Sequence, residues 1–166
     1  NQIFKMSDNF KAIVLNESNG QFSREVKTLD KNFIKDGDIL VKIDYSDLNF
    51  KDAMILKNGG KLIKEYPRIP GIDFSGTVDQ SGIDEFKKGD QVIVTGSRVG
   101  EIYHGGYSQF AKVKKDFIIK KPKDFSSKQA MMLGTAGFTA LLCAFAVKAR
   151  EEIFLGEKVN EVLVTG

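Results

Sequence analysis

Ser126-Ser127-Lys128-Gln129, the uncharged run from Ala130 to Val147 behind it, and Glu161-Val162-Leu163-Val164-Thr165-Gly166 at the end form the stretch on which the fold reading turns. A serine three residues ahead of a glutamine has capping-box spacing. The hydroxyl accepts from the third helical amide while the glutamine side chain reaches back to the serine N–H, so a helix is expected to start here. The run contains Leu133-Gly134-Thr135-Ala136-Gly137-Phe138-Thr139-Ala140, and its two glycines should bend or divide it into a buried helix pair or one bent helix. It is just long enough to raise the question of a membrane span. Its glycines, threonines and alanines keep its hydrophobicity low, and no span is expected. Glu161–Gly166 reads as a buried strand running into a glycine. A helix, a short hydrophobic strand and a glycine is how a dinucleotide-binding unit opens. A Gly-rich phosphate loop should come next, and the chain reads as cut just before it.

Upstream, the pattern changes to short strands and turns. Lys11–Leu15 and about Phe22–Leu29 flank Asn19-Gly20, a hairpin signal. Ile39, Val41, Ile43 and Tyr45 alternate with Asp38, Leu40, Lys42 and Asp44, as in a half-buried strand. Asn49–Leu56 reads as a short helix after a polar turn. Ile72–Val78, Gln91–Val94 and Phe110–Ile119 are further strands, separated by Pro67, Pro70, the turn Lys88-Gly89-Asp90 and a glycine-rich loop over Gly100–Gly106. Many short strands at close spacing suggest a small barrel or sandwich rather than a parallel sheet. Three parts are expected: a tail over 1–9, a β-rich domain over 10–125, and the opening of a second domain over 126–166.

The chain has 166 residues, with 42% hydrophobic content, and this permits a real core. A net charge of +3 is too weak for bulk nucleic-acid binding as the main business, though it suits anionic small ligands. One cysteine, Cys143, and one histidine, His104, cannot make an internal disulfide or a common Cys/His zinc site. The polar start, Asn1–Asn9, has no secretory apolar region. A cytoplasmic location is expected.

Five segments in order resemble one family: Ser46-Asp47-Leu48-Asn49-Phe50-Lys51-Asp52, Ile69-Pro70-Gly71-Ile72-Asp73-Phe74-Ser75-Gly76-Thr77-Val78, Gly105-Gly106-Tyr107, Gly134–Ala140, and Val164-Thr165-Gly166. Together they are similar to the zinc-independent medium-chain dehydrogenases/reductases, and within these to the acrylyl-CoA reductase and quinone oxidoreductase group. The resemblance runs from Phe10 onward. It implies a mainly β fold, a GroES-like barrel, followed by the opening helix and strand of an α/β Rossmann domain. It also implies NADPH as cofactor and hydride delivery to the β-carbon of an α,β-unsaturated thioester such as acryloyl-CoA, or to a quinone. Zinc-dependent relatives place a cysteine near Ser46 and Gly-His-Glu near Gly71-Ile72-Asp73. Both ligand types are missing here, so no metal is expected.

By the same resemblance, Asn49 and Phe50 face the nicotinamide and substrate cleft. Phe50 stands where a tyrosine is common, so ring stacking survives and a hydrogen bond does not. The alternative is that Phe50 packs the core and Asn49 caps the helix. Thr139 should lie by the nicotinamide carboxamide, with Thr135 a further contact; the alternative for Thr139 is a hydroxyl bonded back to its own helix. Gly166 would open the phosphate loop. Asp52 reads as a structural first-turn carboxylate, Asp73 as a lone carboxylate that holds no metal, His104 as an exposed loop histidine, and Cys143 as a packed small hydrophobe. The lysines between Lys112 and Lys123 read as a solvated strand face. No general acid can be named, so the catalytic residues are unknown. The expected whole is an NADPH-dependent reductase of acyl-CoA or quinone substrates, a homodimer when intact, with the present chain inactive alone. The rival expectation is a noncatalytic fragment that acts, if at all, as a self-association or interaction module.

Overall fold

The computed structural model describes residues 9–150 and 161–165. Strands β1 (Asn9–Ser18) and β2 (Gln21–Asp30) pair antiparallel along their full lengths. Asn19 and Gly20 close the hairpin at φ 52° and 76°, a turn whose twist matches that of the strands. The second sheet contains β3 (Ile39–Ser46), β4 (Asp73–Ser81), β5 (Gln91–Thr95), β6 (Phe110–Val113) and β7 (Ile118–Lys120), ordered β6-β3-β4-β5-β7. Every neighbouring pair is antiparallel. Backbone bonds join the hairpin to the rest: Ile13 N–H donates to Tyr107 O, and Leu15 and Arg68 exchange a pair of bonds.

The strand faces show why this assembly closes. Ile39, Val41, Phe74, Val78, Val92 and Val94 meet in one core, each almost fully enclosed. Leu40, expected on the polar side of β3, is buried as well, because the other face of β3 packs on a second core with Phe10, Val14 and Ile69. Tyr45, expected inward, is exposed. A register shift between Ile43 and Tyr45 breaks the two-residue period there. The single strand expected over Phe110–Ile119 is two. A 3-10 turn at Lys115–Phe117 separates β6 and β7, which pair with β3 and β5 at opposite edges of the sheet.

Helix α1 (Phe50–Asn58) lies between β3 and β4 in sequence, and Gly59 ends it at φ 74° with its N–H on Ile55 O, a left-handed C-terminal stop. Helix α2 (Ser127–Arg150) starts at the capping box: Gln129 N–H donates to Ser126 Oγ at 3.1 Å, and Ser126 N–H to Gln129 Oε1 at 2.9 Å. It is one bent helix, broken in direction at Gly134 and not at Gly137. It is not the buried element expected. Ala130, Met131 and Gly134 are enclosed, but Phe138, Leu141, Leu142 and Phe145 are about half exposed or more. The expected buried strand also differs: Glu161–Thr165 lies in no strand, and Leu163 is 87% exposed. Strand identity depends on a neighbour, and among the described residues none lies alongside this segment.

Candidate functional site

Asp73 opens β4 and is wholly buried. A carboxylate in that position must be met by donors, and four converge on it. Gly96 N–H, from the turn after β5, donates to Oδ1 at 2.9 Å, and Thr135 Oγ1 donates to the same oxygen at 2.7 Å. Thr135 N–H reaches Oδ2 at 2.6 Å and Asn49 Nδ2 reaches it at 3.1 Å. Asn49 is the N-cap of α1, and Thr135 follows the bend in α2. One carboxylate therefore joins a loop of the β-region to the helix beyond it.

The bend makes this possible. Gly134 sits at φ 48°, ψ −157°, a conformation that glycine tolerates and other residues resist. The turn restarts the helix, so Thr135 N–H is an N-terminal amide free for an anion. A Cβ at 134 would overlap Asp47 Oδ2 and stand 2.9 Å from Asp73 Oδ2.

Asp47, in the loop between β3 and α1, completes the cluster. Asn49 Nδ2 donates to its Oδ1 at 2.8 Å, and Tyr107 Oη donates to its main-chain oxygen at 3.0 Å. Burial, the charge of Asp73 and a hydrogen bond with Asp73 push the Asp47 carboxyl up to about 7. Asp52 is fully enclosed and accepts from Asn49 N–H and Ile72 N–H, each at 3.0 Å. Burial raises its carboxyl above the ordinary range, and these two bonds offset part of the effect. Burial, with Asp52 and Asp47 nearby, likewise pushes the Tyr107 phenol upward. Tyr107 belongs to the Gly105-Gly106-Tyr107 segment, which is bonded to the Pro70-Gly71 turn through Gly106 N–H to Gly71 O and Tyr107 N–H to Pro70 O.

Of the residues singled out from the sequence, Asn49 and Thr135 meet on Asp73. Thr139 is one turn further along α2, and its hydroxyl bonds back to Thr135 O at 2.8 Å. Phe50 does not pack the core; its surface is 83% exposed. Gly166 lies outside the described residues. His104 is not the exposed loop residue expected. Its Nδ1 accepts Ile69 N–H at 3.2 Å, its ring lies 5.0 Å from Phe33, and burial with nearby Arg68 lowers its basicity to about 4. Cys143 is exposed rather than packed. The lysine segment dissolves into local partnerships: Lys115 with Glu85, Lys120 with Asp90, and Lys121 Nζ turned inward to Phe125 O. Asp47, Asp73 and Tyr107 were not singled out as site residues from the sequence. The available signal was a carboxylate, Asp73, set between Ile72 and Phe74 in an apolar strand, a position that requires distant donors. Among the described residues no group of three or more His, Cys, Asp or Glu side chains is placed to hold a metal ion.

The alcohol dehydrogenase GroES-like domain matches residues 35–123. The chain belongs to that family, within the medium-chain dehydrogenases/reductases. The GroES-like chain is 43% identical over 159 residues to acrylyl-CoA reductase AcuI of Ruegeria pomeroyi, covering 95% of this chain and 47% of that one. YhfP of Bacillus subtilis, named as a suspected quinone oxidoreductase, is 39% identical over 161 residues, 97% of this chain and 48% of YhfP. The crystal structure of yhfP with NAD bound superposes at a TM-score of 0.82, with 38% identity over 87% of this chain and 44% of that one. The yhdH oxidoreductase of Salmonella enterica, crystallised with NADP, gives 0.80 and 41% identity over 83% of this chain and 43% of yhdH. The chain spans about half the length of the curated relatives it matches.

Proposed function

We propose that this chain is the catalytic β-domain, up to residue 125, and the opening of the nucleotide-binding domain, from residue 126, of an NADPH-dependent reductase. Its substrate class is an α,β-unsaturated acyl-CoA of the acryloyl type, or a quinone, and it works without metal. The observation that carries the reading is the meeting of Asn49 and Thr135 on Asp73. The two segments from which cofactor contacts are expected thereby face one place. NADPH supplies the hydride when bound; the protein binds, orients and excludes water. The exposed Phe50 ring offers a stacking surface beside Asn49. Thr139 keeps acceptor capacity after its bond to Thr135. Gly166 is the proposed first residue of the phosphate loop.

The residue arrangement also bears on membranes. Helix α2 is long and apolar enough to cross one by length and composition. Its first turns, however, are anchored through Ala130, Met131 and Gly134. The remaining stretch after Gly134 extends only ~24 Å, short of the ~30 Å apolar layer. A protein-covered role for this face, a cytoplasmic location and a homodimer of the intact protein go with the reductase reading.

The test is NADPH fluorescence with the 166-residue chain and with a chimera joined to the second half of a relative. No measurable binding is expected for the chain alone, and binding for the chimera. Tight binding by the chain alone would overturn the assignment of its role. The chimera should reduce acryloyl-CoA with chelator present; turnover of quinones alone would overturn the thioester reading. The exposed apolar face of α2 favours a second reading, a noncatalytic chain that self-associates. Sedimentation of the 166-residue chain tests it: a monomer at all concentrations excludes it.

A further inference from the structure

Asp73 and Asp47 lie side by side, and their surroundings differ. Asp73 is met by four donors from three elements, which is the setting of an ionised, acceptor-only carboxylate. Asp47 is part-buried, and its carboxyl shares the Asn49 amide and the Gly134 position with that of Asp73. Two carboxyl groups held this close avoid mutual repulsion only while one of them carries a proton. The donor count assigns that proton to Asp47. Asn49 Nδ2 spans the pair, bonded to Asp47 Oδ1 and Asp73 Oδ2, and the absence of a side chain at Gly134 leaves room for both oxygens.

We propose that Asp47 is a positioning residue: while protonated, it holds the Asn49 loop against the Gly134–Thr135 bend of α2 through Asp73, and on losing its proton it releases that loop. The titratable groups that face it are Asp73 from β4, Asp52 from α1 and Tyr107 from the glycine-rich turn. From α2 it meets Gly134, which brings no charge. Asp73 and Asp52 are acidic and Tyr107 stays neutral, so the surroundings favour the protonated Asp47. The consequence for hydride transfer rests on the reductase reading, because it concerns the placement of Asn49 against Thr135 and Thr139. The proton itself does not depend on that reading.

The sign follows from linkage. The folded chain holds a proton on Asp47 that the unfolded chain releases near 3.8, so stability falls as pH rises from about 4 to about 7 and then levels off. Asp47→Asn keeps a donor toward Asp73 and cannot titrate. Its thermal midpoint should gain on the parent by roughly 6–13 °C between pH 4.5 and pH 8. Carboxyl carbon NMR of the parent chain should place the Asp47 titration near neutrality. The Asn49 and Thr135 amide signals should move with the same midpoint, and should stay fixed in Asp47→Asn. An Asp47 midpoint near 4, or the same amide movement in Asp47→Asn, overturns the proposal. The parent titration needs no variant, so a poorly folding substitution cannot shield it. It needs no cofactor either, so its failure is distinguishable from failure of NADPH binding in the chimera.

Discussion

Phe74 and Phe145 carry the same side chain into opposite settings. Phe74 is fully enclosed in β4, between the inward faces of β3 and β5, whereas Phe145 on α2 is 64% exposed. The β-region supplies its own cover, because each antiparallel strand finds its neighbour within the described residues. Helix α2 is covered only where Ala130, Met131 and Gly134 touch the sheet. Apolar composition specifies that a surface wants covering, but the topology decides what covers it.

The largest expected effect sharpens that contrast. Phe74→Ala should cost about 3–5 kcal/mol, from lost burial and the cavity left behind. Phe145→Ala should stay within about 0.5 kcal/mol, as for an exposed position. Urea unfolding of both variants measures the difference. A loss above about 2 kcal/mol for Phe145→Ala would mean that α2 is covered in solution, and the contrast would fail.

The two glycines of α2 give a second comparison. Gly134→Ala demands a left-handed backbone from alanine and places a methyl on Asp47 and Asp73. About 2–3 kcal/mol should be lost, with the Thr135–Asp73 bonds. At Gly137 a Cβ meets only the side chain of Leu133, at 3.1 Å, and that leucine is 42% exposed and free to give way. Gly137→Ala should be neutral or stabilising by up to about 1 kcal/mol, through helix propensity. Equal losses at both positions would remove Gly134 from its special place.

What could be read from residues alone follows the same division. The Asn19-Gly20 turn, the Ser126/Gln129 cap and the bend in α2 are local, set by neighbours within a few residues. The alternation in β3 gave a correct inward face for Ile39 and Val41 and missed Leu40, since a single period cannot show that a second layer lies behind the strand. The hub at Asp73 was invisible for a related reason: its partners Asn49, Gly96 and Thr135 stand 24, 23 and 62 residues away. The same distance hid Asp47, whose raised carboxyl comes from burial first and from Asp73 second. Val162-Leu163-Val164 has strand chemistry and, among the described residues, no strand beside it, which sequence pattern alone cannot distinguish from a buried strand.

The smallest expected effect asks where the boundary between the two regions lies energetically. Ser126→Ala removes the hydroxyl that accepts Gln129 N–H, and loss of an N-cap costs about 1 kcal/mol. That loss appears in the main unfolding transition only if the first turns of α2 unfold together with the β-sheet. Burial of Ala130 and Met131 and the bond from Ser75 Oγ to Ser127 O at 2.9 Å argue that they do. A matched cap loss beyond the bend should not register, because the helix there rests on little. Calorimetry of Ser126→Ala should therefore show one transition shifted down by about 2–4 °C. An unshifted main transition with a separate early melting of helix would move the boundary upstream to Ser126, and would leave Asp73 tied to a segment that lets go before the sheet does.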